Sequence, residues 1–186
     1  APNAFATGRN PEKGVVCVTQ GLLNQLEKEE VEGVIAHELA HIKNRDTLTN
    51  AIVATLAGAI SILAELAFWS SLFTDEDAGE MFSAIAFMIT VPIIATLIRM
   101  AVSRSMEFRA DSSAVRIHGN REGLSSALQK INAAAKKKPR RHTSKVQEAG
   151  ANLFIDNPFS SDSITRFFST HPPLEKRLEN IETTEV

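Results

Sequence analysis

The residues best suited to chemistry are two histidines separated by one helical turn, with a glutamate next to the first, in the stretch His37-Glu38-Leu39-Ala40-His41. Residues four positions apart lie on one face of an α-helix, with Cβ atoms about 5–6 Å apart, so two imidazoles can converge on one metal ion. The Glu38 carboxylate can reach a water on that ion without being a ligand itself. The spacing therefore predicts a metal site that activates water.

The surrounding sequence favours a helix with one buried side. Five apolar residues form a stripe along it: Val31, Val34, Ile35, Leu39 and Ile42. Acidic residues from Glu27 to Glu30 precede the motif, and Lys43 and Arg45 follow it, as the helix dipole prefers. The alternative is a polar helix face that matches by chance. The buried stripe favours instead the metal-binding helix of a zinc peptidase.

Composition limits the classes of protein to consider. A chain of 186 residues can form one domain of ordinary size. A formal charge of −2 and a hydrophobic content of 44% are typical of neither a nucleic-acid binder nor a disordered chain. Cys17 is the single cysteine, which excludes an internal disulfide and a thiolate metal site. We expect Cys17 to be a buried residue of a strand at 14–18, because free cysteine packs as a hydrophobe.

Two long apolar segments predict a transmembrane hairpin. Residues 51–73 contain Glu65 as their only ionisable residue, and residues 81–102 contain only Arg99. At 1.5 Å per residue each helix would be about 33–35 Å long, enough to cross a hydrocarbon core of about 30 Å. A short acidic stretch, 74–80, joins them. The alternative is a soluble hairpin of two unusually apolar helices, but the length of the runs favours the membrane.

Flanking charges predict the orientation of this hairpin. Basic residues lie at its outer ends: Lys43, Arg45, Arg104 and Arg109. By the positive-inside rule both ends face the cytoplasm. We expect Pro92 to kink the second helix and Glu65 to face a protein group rather than lipid. The chain begins at Ala1-Pro2-Asn3 without a signal-peptide pattern, as a fragment or a processed form would.

A third metal ligand is expected after the hairpin. Glu107 and Asp111 are four residues apart and share one face of a predicted second helix. Glu107 can complete the ligand set, and Asp111 can accept a hydrogen bond from a ligating histidine. Arg104 and Arg109 could orient these carboxylates. The alternative is a solvated charged face at a helix end, and spacing alone leaves both interpretations open.

Taken in order, these motifs resemble the HtpX-type membrane zinc metalloproteases, which are related to the CAAX prenyl protease of eukaryotes. The resemblance runs from residues 3–8 through the motif helix, the hairpin and residues 103–111 to the stretch 171–177. It implies an α+β, mainly α, zincin-like metallopeptidase domain with a small N-terminal β-sheet and an inserted transmembrane hairpin. Residues 1–186 would form this single domain, with 1–50 and 103–186 on the cytoplasmic face and 51–102 as the hairpin.

The resemblance also implies roles for individual residues. His37, His41 and Glu107 would bind one zinc ion per chain, and Glu38 would be the general base. Asp111 would accept a hydrogen bond from a ligating histidine without binding the ion itself. His171 would stabilise the oxyanion, although without the family it is an ordinary turn histidine before two prolines. Asn3, on the edge strand at the active site, would hold the substrate backbone.

The expected function is that of an integral membrane zinc endopeptidase of the bacterial inner membrane. The resemblance implies a role in stress response and quality control, with misfolded or damaged membrane proteins as substrates and the bilayer as a partner. It also implies two further helices upstream. Two alternatives stay open: a catalytically silent membrane scaffold, and a metal-binding or sensing protein. Processing of prenylated proteins is a third possibility within the enzyme class.

The remaining segments predict short elements around the site. Residues 4–7 and 15–18 are expected to pair as a hairpin, and helices are expected at 123–135 and 173–181. The basic run 136–142 is expected near anionic lipid headgroups rather than on nucleic acid. Residues 143–170 are expected to be a loop with a short helix, with Phe167 and Phe168 in the core.

Overall fold

The computed structural model describes residues 2–8, 10–73, 78–137 and 171–185, and these are mainly helical. The elements follow in the order β1 Ala4–Thr7, a 3-10 turn Pro11–Lys13, β2 Val15–Val18, α1 Gln20–Leu23, α2 Lys28–Lys43, α3 Asp46–Ser71, α4 Ala78–His118, α5 Arg121–Lys137 and α6 Leu174–Thr183. The predicted fold class, mainly α with a small N-terminal sheet, is confirmed. The predictions for 138–170, including Phe167 and Phe168, lie outside the described residues.

The two strands form the predicted antiparallel hairpin, with Ala4 opposite Val18 and Thr7 opposite Val15. The turn between them requires glycine at position 8, where φ is 148° and a Cβ would lie 2.7 Å from the Lys13 carbonyl oxygen. Side chains alternate between the two faces of the sheet.

The prediction that Cys17 is buried is wrong, because its side chain is exposed. Among the described residues the sheet has two strands, and one face of it packs against the core. Val18 lies on that face, beside Leu22 and Val34. Cys17, one position away, points to the opposite face.

Helix α2 begins with a capping box in which the Glu27 backbone N–H donates to Glu30 Oε2 over 2.8 Å. It packs closely on α5, since a Cβ at Gly33 would lie 2.8 Å from the backbone nitrogen of Leu124. Its buried face carries the small residues Gly33, Ala36 and Ala40. Leu39, which we expected in the buried stripe, is 43% exposed, because the close approach selects the face with small side chains.

Two buried clusters hold this helix in place. The first comprises Ala4, Leu22, Leu26, Val34, Ala127 and Ile131. The second comprises Ala36, Ala114, Val115, Leu124, Leu128 and Ile181. Helices α2 and α5 contribute to both clusters, so the helix that carries the histidine motif has apolar support along its length. This is the physical basis for a rigid site.

The chain divides into two compact units, residues 1–47 with 103–186 and residues 48–102. The second unit consists of the apolar parts of α3 and α4. In each of these helices only 6% of the most apolar 18-residue window is buried. A core helix of a soluble protein would be mostly buried, so this exposure agrees with two membrane-spanning helices. Glu65 is also exposed, and no partner for it is described in this part of the chain.

Helix α4 differs from the prediction in its extent. Residues 103–111 belong to the same 41-residue helix as the second apolar segment, rather than to a separate one. The helix continues through Pro92, whose carbonyl accepts a hydrogen bond of 2.8 Å from Thr96 Oγ1. The kink at Pro92 stays a prediction. The continuity of α4 means that Glu107 and Asp111 lie on a long helix that extends well beyond the site.

Candidate metal centre and active site

Three of the predicted site residues converge on one point. His37 and His41 project from α2 with their Nε2 atoms 3.1 Å apart. From α4, Glu107 places Oε2 at 3.6 Å from His37 Nε2 and Oε1 at 3.7 Å from His41 Nε2. Ligand atoms in a tetrahedral zinc site, with bonds of about 2.0–2.1 Å, are roughly 3.3 Å apart. The three separations are close to that value.

The chemistry of these donors fits a zinc ion. Two imidazole nitrogens and one carboxylate oxygen lie within 4.8 Å of one another. Glu107 Oε2 is buried and accepts no hydrogen bond from the described residues, although a guanidinium nitrogen of Arg177 lies 3.4 Å away. A buried carboxylate oxygen without a hydrogen bond is costly, and a cation would relieve that cost. Three protein ligands leave a fourth position for water, as in catalytic zinc sites.

The ring of His37 is held from behind by Asp111. The Asp111 Oδ1 atom lies 3.0 Å from His37 Nδ1, and the Asp111 side chain is fully buried. A carboxylate at Nδ1 fixes the ring so that Nε2 faces the metal position. Burial alone would lower the pKa of His37, but the carboxylates of Asp111 and Glu107 beside the ring outweigh burial and raise that pKa to about 10.

Arg177 on α6 orients both carboxylates of α4. Its Nε donates to Asp111 Oδ2 over 2.9 Å and its Nη2 to Asp111 Oδ1 over 2.7 Å. Burial alone would lower the pKa of this guanidinium, but Asp111 and Glu107 together raise it above its ordinary value. Sequence reasoning named Arg104 and Arg109 for this task and missed Arg177. The available signal was its place in the stretch 171–177 that carries the resemblance.

A second aspartate, Asp46, lies behind His41 in the same way. Its Oδ2 lies 2.7 Å from His41 Nδ1, and its Oδ1 pairs with the guanidinium of Arg109. Arg109 therefore contacts Asp46 rather than the carboxylates that we predicted for it. Sequence reasoning also missed Asp46, whose signal was an acidic residue at the first position of the next helix, five residues after His41.

Glu38 and His171 lie beside the ligand set. Glu38 is 6% exposed, and its charge contributes to the raised pKa of Arg177. His171 places Nδ1 at 3.2 Å from Glu107 Oε1, with 21% of its side chain exposed. The roles of Glu38 and His171 toward a substrate stay predictions.

Asn3 is buried immediately before β1, where its backbone is held by Thr19. The Asn3 N–H donates to Thr19 Oγ1 over 2.9 Å, and the Asn3 carbonyl accepts from the Thr19 hydroxyl over 2.9 Å. These bonds anchor the start of β1 against the end of β2. The role of the Asn3 side chain in substrate binding stays a prediction.

This helix with two histidines and a glutamate, completed by a carboxylate from another helix, defines the class of zinc metallopeptidases. The chain belongs to peptidase family M48, whose family model matches residues 1–185. This assignment confirms the resemblance found in the sequence. Enzymes of the family are metallopeptidases that depend in general on zinc.

Similar proteins carry the name Protease HtpX homolog. The one from Pyrococcus furiosus is 50% identical over 184 residues, covering 97% of this chain and 63% of the relative. Those from Desulforapulum autotrophicum and Gemmatimonas aurantiaca are 47% and 49% identical and are covered over 59% and 63% of their lengths. The chain thus spans about three fifths of the length of these relatives. No solved structure matches it significantly.

Proposed function

We propose that this chain carries the catalytic centre of a membrane-bound zinc endopeptidase. The observation that carries the proposal is the convergence of His37, His41 and Glu107, with donor separations of 3.1, 3.6 and 3.7 Å. Two neighbouring features support it. A buried glutamate follows the first histidine, and the related proteins of similar sequence are named as proteases.

Each residue has a role in peptide hydrolysis. Zinc in such a site supplies Lewis acidity and makes water a nucleophile near neutral pH. Glu38 removes a proton from the attacking water as the general base and returns it to the leaving amine. An imidazole N–H of His171 donates to the developing oxyanion. Asp111 and Arg177 keep His37 and Glu107 in position throughout.

The proposed substrates are unfolded or damaged membrane proteins, bound as extended segments. Strand β1 pairs with β2 on one side only among the described residues. Its other edge offers backbone hydrogen bonds to a segment in β conformation, with Asn3 at its beginning. Recognition through the backbone accepts many sequences, which suits quality control and stress response.

The proposed location is the bacterial inner membrane, with the unit that contains the site in the cytoplasm. The apolar parts of α3 and α4 are long enough to span a bilayer and are exposed along their length. Basic residues at both outer ends, among them Lys43 and Arg104, favour a cytoplasmic position for those ends.

A silent scaffold or a metal sensor is the less favoured alternative. Either would need only the three ligands, His37, His41 and Glu107. Neither would need a carboxylate placed as Glu38 is, and the similarity to proteins named as proteases also favours an enzyme.

The test is cleavage of an unfolded model protein by the detergent-solubilised chain with zinc, beside its Glu38→Gln variant. The parent should hydrolyse the substrate, and the variant should bind zinc equally but lose at least about 100-fold in rate. Equal hydrolysis by both would contradict the role of Glu38. If neither protein hydrolyses the substrate despite equal zinc content, the same assay is repeated on the longer natural protein. Absence of hydrolysis there as well would favour the scaffold or the sensor.

A further inference from the structure

His41, Asp46 and Arg109 form a continuous set of contacts beside the metal position. The Asp46 carboxylate uses Oδ2 for His41 Nδ1, at 2.7 Å, and Oδ1 for the Arg109 guanidinium. Asp46 is buried, with 4% of its side chain exposed, whereas 52% of the Arg109 side chain is exposed. A buried carboxylate needs such partners, because an unpaired charge in the interior is strongly unfavourable.

We propose that Asp46 and Arg109 are a positioning pair that holds His41 ready for the metal ion. The inference rests on the metal site put forward in the proposed function. With Nδ1 engaged by Asp46, the ring of His41 can rotate little, and its Nε2 is presented to the ion. A carboxylate at Nδ1 also makes the opposite nitrogen a stronger donor.

The backbone between the two residues is shaped for this contact. Helix α2 ends at Lys43, and Arg45 then adopts φ 56°, in the left-handed region that glycine enters more easily. This turn allows α3 to begin at Asp46, so that a residue only five positions after His41 can face it. A direct helical continuation would place residue 46 on a different side of α2.

The arrangement mirrors that of the other histidine ligand. His37 Nδ1 is held by Asp111, which Arg177 binds through two hydrogen bonds. Arg177 is buried, whereas Arg109 is half exposed, so solvent screens the Arg109 contact more strongly. We therefore expect Asp46 to matter more than Arg109 for metal binding.

The test is zinc affinity, measured on the detergent-solubilised full chain by competition with a chromophoric chelator. Asp46→Asn should weaken zinc binding about 10- to 100-fold, as loss of a carboxylate behind a ligating histidine does. Arg109→Gln should weaken it less, and Arg109→Lys should restore part of the loss. The double variant should match Asp46→Asn alone, because Arg109 acts through Asp46. Arg116→Gln removes an exposed cation from the same helix and should bind as the parent does.

A second measurement separates positioning from general stability. Zinc-edge X-ray absorption should show reduced imidazole coordination in Asp46→Asn, whereas the unfolding midpoint of the chelator-treated Arg109→Gln protein should equal that of the parent. Parental affinity in both single variants would overturn the proposal, as would additive losses in the double variant. If Asp46→Asn does not fold, the zinc affinity of Arg109→Gln still tests the proposal. Parental affinity in that variant would then overturn the proposed positioning pair.

The outcome for the pair is distinct from that for the proposed function. A parent protein that binds zinc tightly without hydrolysing peptides would contradict the endopeptidase and leave the positioning pair intact. A parent protein that binds no zinc would overturn the metal site and this inference together.

Discussion

Each histidine of the candidate metal centre has an aspartate carboxylate beside its Nδ1 atom, and each of these aspartates pairs with an arginine. Asp111 and Arg177 serve His37, while Asp46 and Arg109 serve His41. Such carboxylates fix the tautomer and the direction of a ligating ring. The arginines in turn keep buried carboxylates paired. Removing one partner of the buried Asp111–Arg177 pair costs about 3–5 kcal/mol, whereas solvent screens the half-exposed Arg109 and makes its removal less costly. At the scale of residues, the two histidine rings are therefore restrained by aspartates, which are in turn restrained by arginines.

Kinetics can distinguish a role of His171 in oxyanion stabilisation from a role in zinc binding. If it donates to the oxyanion, His171→Gln should lower kcat about 10²- to 10³-fold while zinc content stays at the parental level, because the donor acts only as charge develops. Steady-state kinetics and metal analysis of the same sample check this.

Glu175→Gln, four residues further along the chain, is the control, since it changes an exposed residue of the following helix and should leave kcat and zinc content unchanged. A large loss of zinc in His171→Gln would show instead that this histidine binds the ion.

At the scale of elements, the contact of α2 with α5 positions the histidine motif. Glu30 on α2 receives hydrogen bonds from Lys130 Nζ, at 2.8 Å, and from the Ser126 hydroxyl, both on α5. The small residues of α2 let the two helix backbones approach, and both helices contribute side chains to the two apolar clusters. A polar link and a close apolar contact therefore act together on one helix pair.

The Glu30 link predicts a pH dependence of stability. Burial alone would raise the pKa of Glu30, but hydrogen bonds from Lys130, Ser126 and the Glu27 backbone hold it below its ordinary value of 4.5. The ionised form is therefore favoured by folding. Its contribution is fully present above pH 4.5 and is lost as the pH falls through the lower value of the folded state.

Glu30→Gln should therefore lower the free energy of unfolding by about 1–3 kcal/mol at pH 7 and flatten its decline below pH 4.5. Chemical unfolding followed by circular dichroism across this range checks both effects. Glu29→Gln, one residue away and exposed, is the matched control and should change neither. If the stability of the Glu30 variant falls below pH 4.5 as steeply as that of the parent, Glu30 is not the source of this pH dependence.

The close approach of the same helices makes a second prediction. A Cβ at Gly33 would lie 2.8 Å from the Leu124 nitrogen and 3.0 Å from its Cα, and these backbone atoms cannot move aside. Gly33→Ala should therefore destabilise the protein by about 1–3 kcal/mol and lower zinc affinity, because α2 must shift away from α5.

Gly58→Ala is the control for that change, since nothing lies within 4 Å of the added Cβ. Alanine in a helix is favoured over glycine by up to about 1 kcal/mol, so this variant should be neutral or more stable. Thermal unfolding of both proteins, with and without zinc, measures the difference. Equal stability of the two variants would show that the helices can separate without cost.

At the scale of the whole molecule, a compact unit with a buried polar centre is joined to a unit with apolar surfaces. Large side chains of the second unit are exposed, such as Leu63 at 65% and Phe82 at 73%. Exposed apolar surface of this extent indicates contact with lipid or with other protein segments. The chain also spans only about three fifths of its relatives.

The membrane assignment predicts the behaviour of the expressed chain. It should stay in the membrane fraction after alkaline carbonate extraction, because α3 and α4, of 26 and 41 residues, contain long apolar windows. Replacing Leu56 and Leu63 by arginine should shift a large part to the supernatant, at about 2.5–3.5 kcal/mol per charge near a helix centre.

Replacing the exposed Glu29 and Glu32 of α2 by arginine provides a control with the same number of new charges outside the apolar segments. That protein should remain in the membrane fraction. Release of the parent chain by carbonate alone would argue for a soluble helical hairpin.

The sequence by itself determined the parts that depend on local geometry. Residues four apart share a helix face wherever a helix forms, so the pairing of His37 with His41 and of Glu107 with Asp111 followed from spacing alone. The apolar segments followed from composition, and His171 could be singled out only through the family resemblance. The hairpin of β1 and β2 followed from its turn residues.

Only the tertiary structure decided which distant groups meet. Arg177 binds Asp111 across 66 positions, and Arg109 binds Asp46 across 63. Spacing contains no information on such pairs, because they depend on how helices pack. Packing also decided that Cys17 is exposed and that Leu39 lies off the buried face. Local periodicity arises from a few backbone dihedrals, whereas burial and charge pairing arise from contacts between elements far apart in the chain.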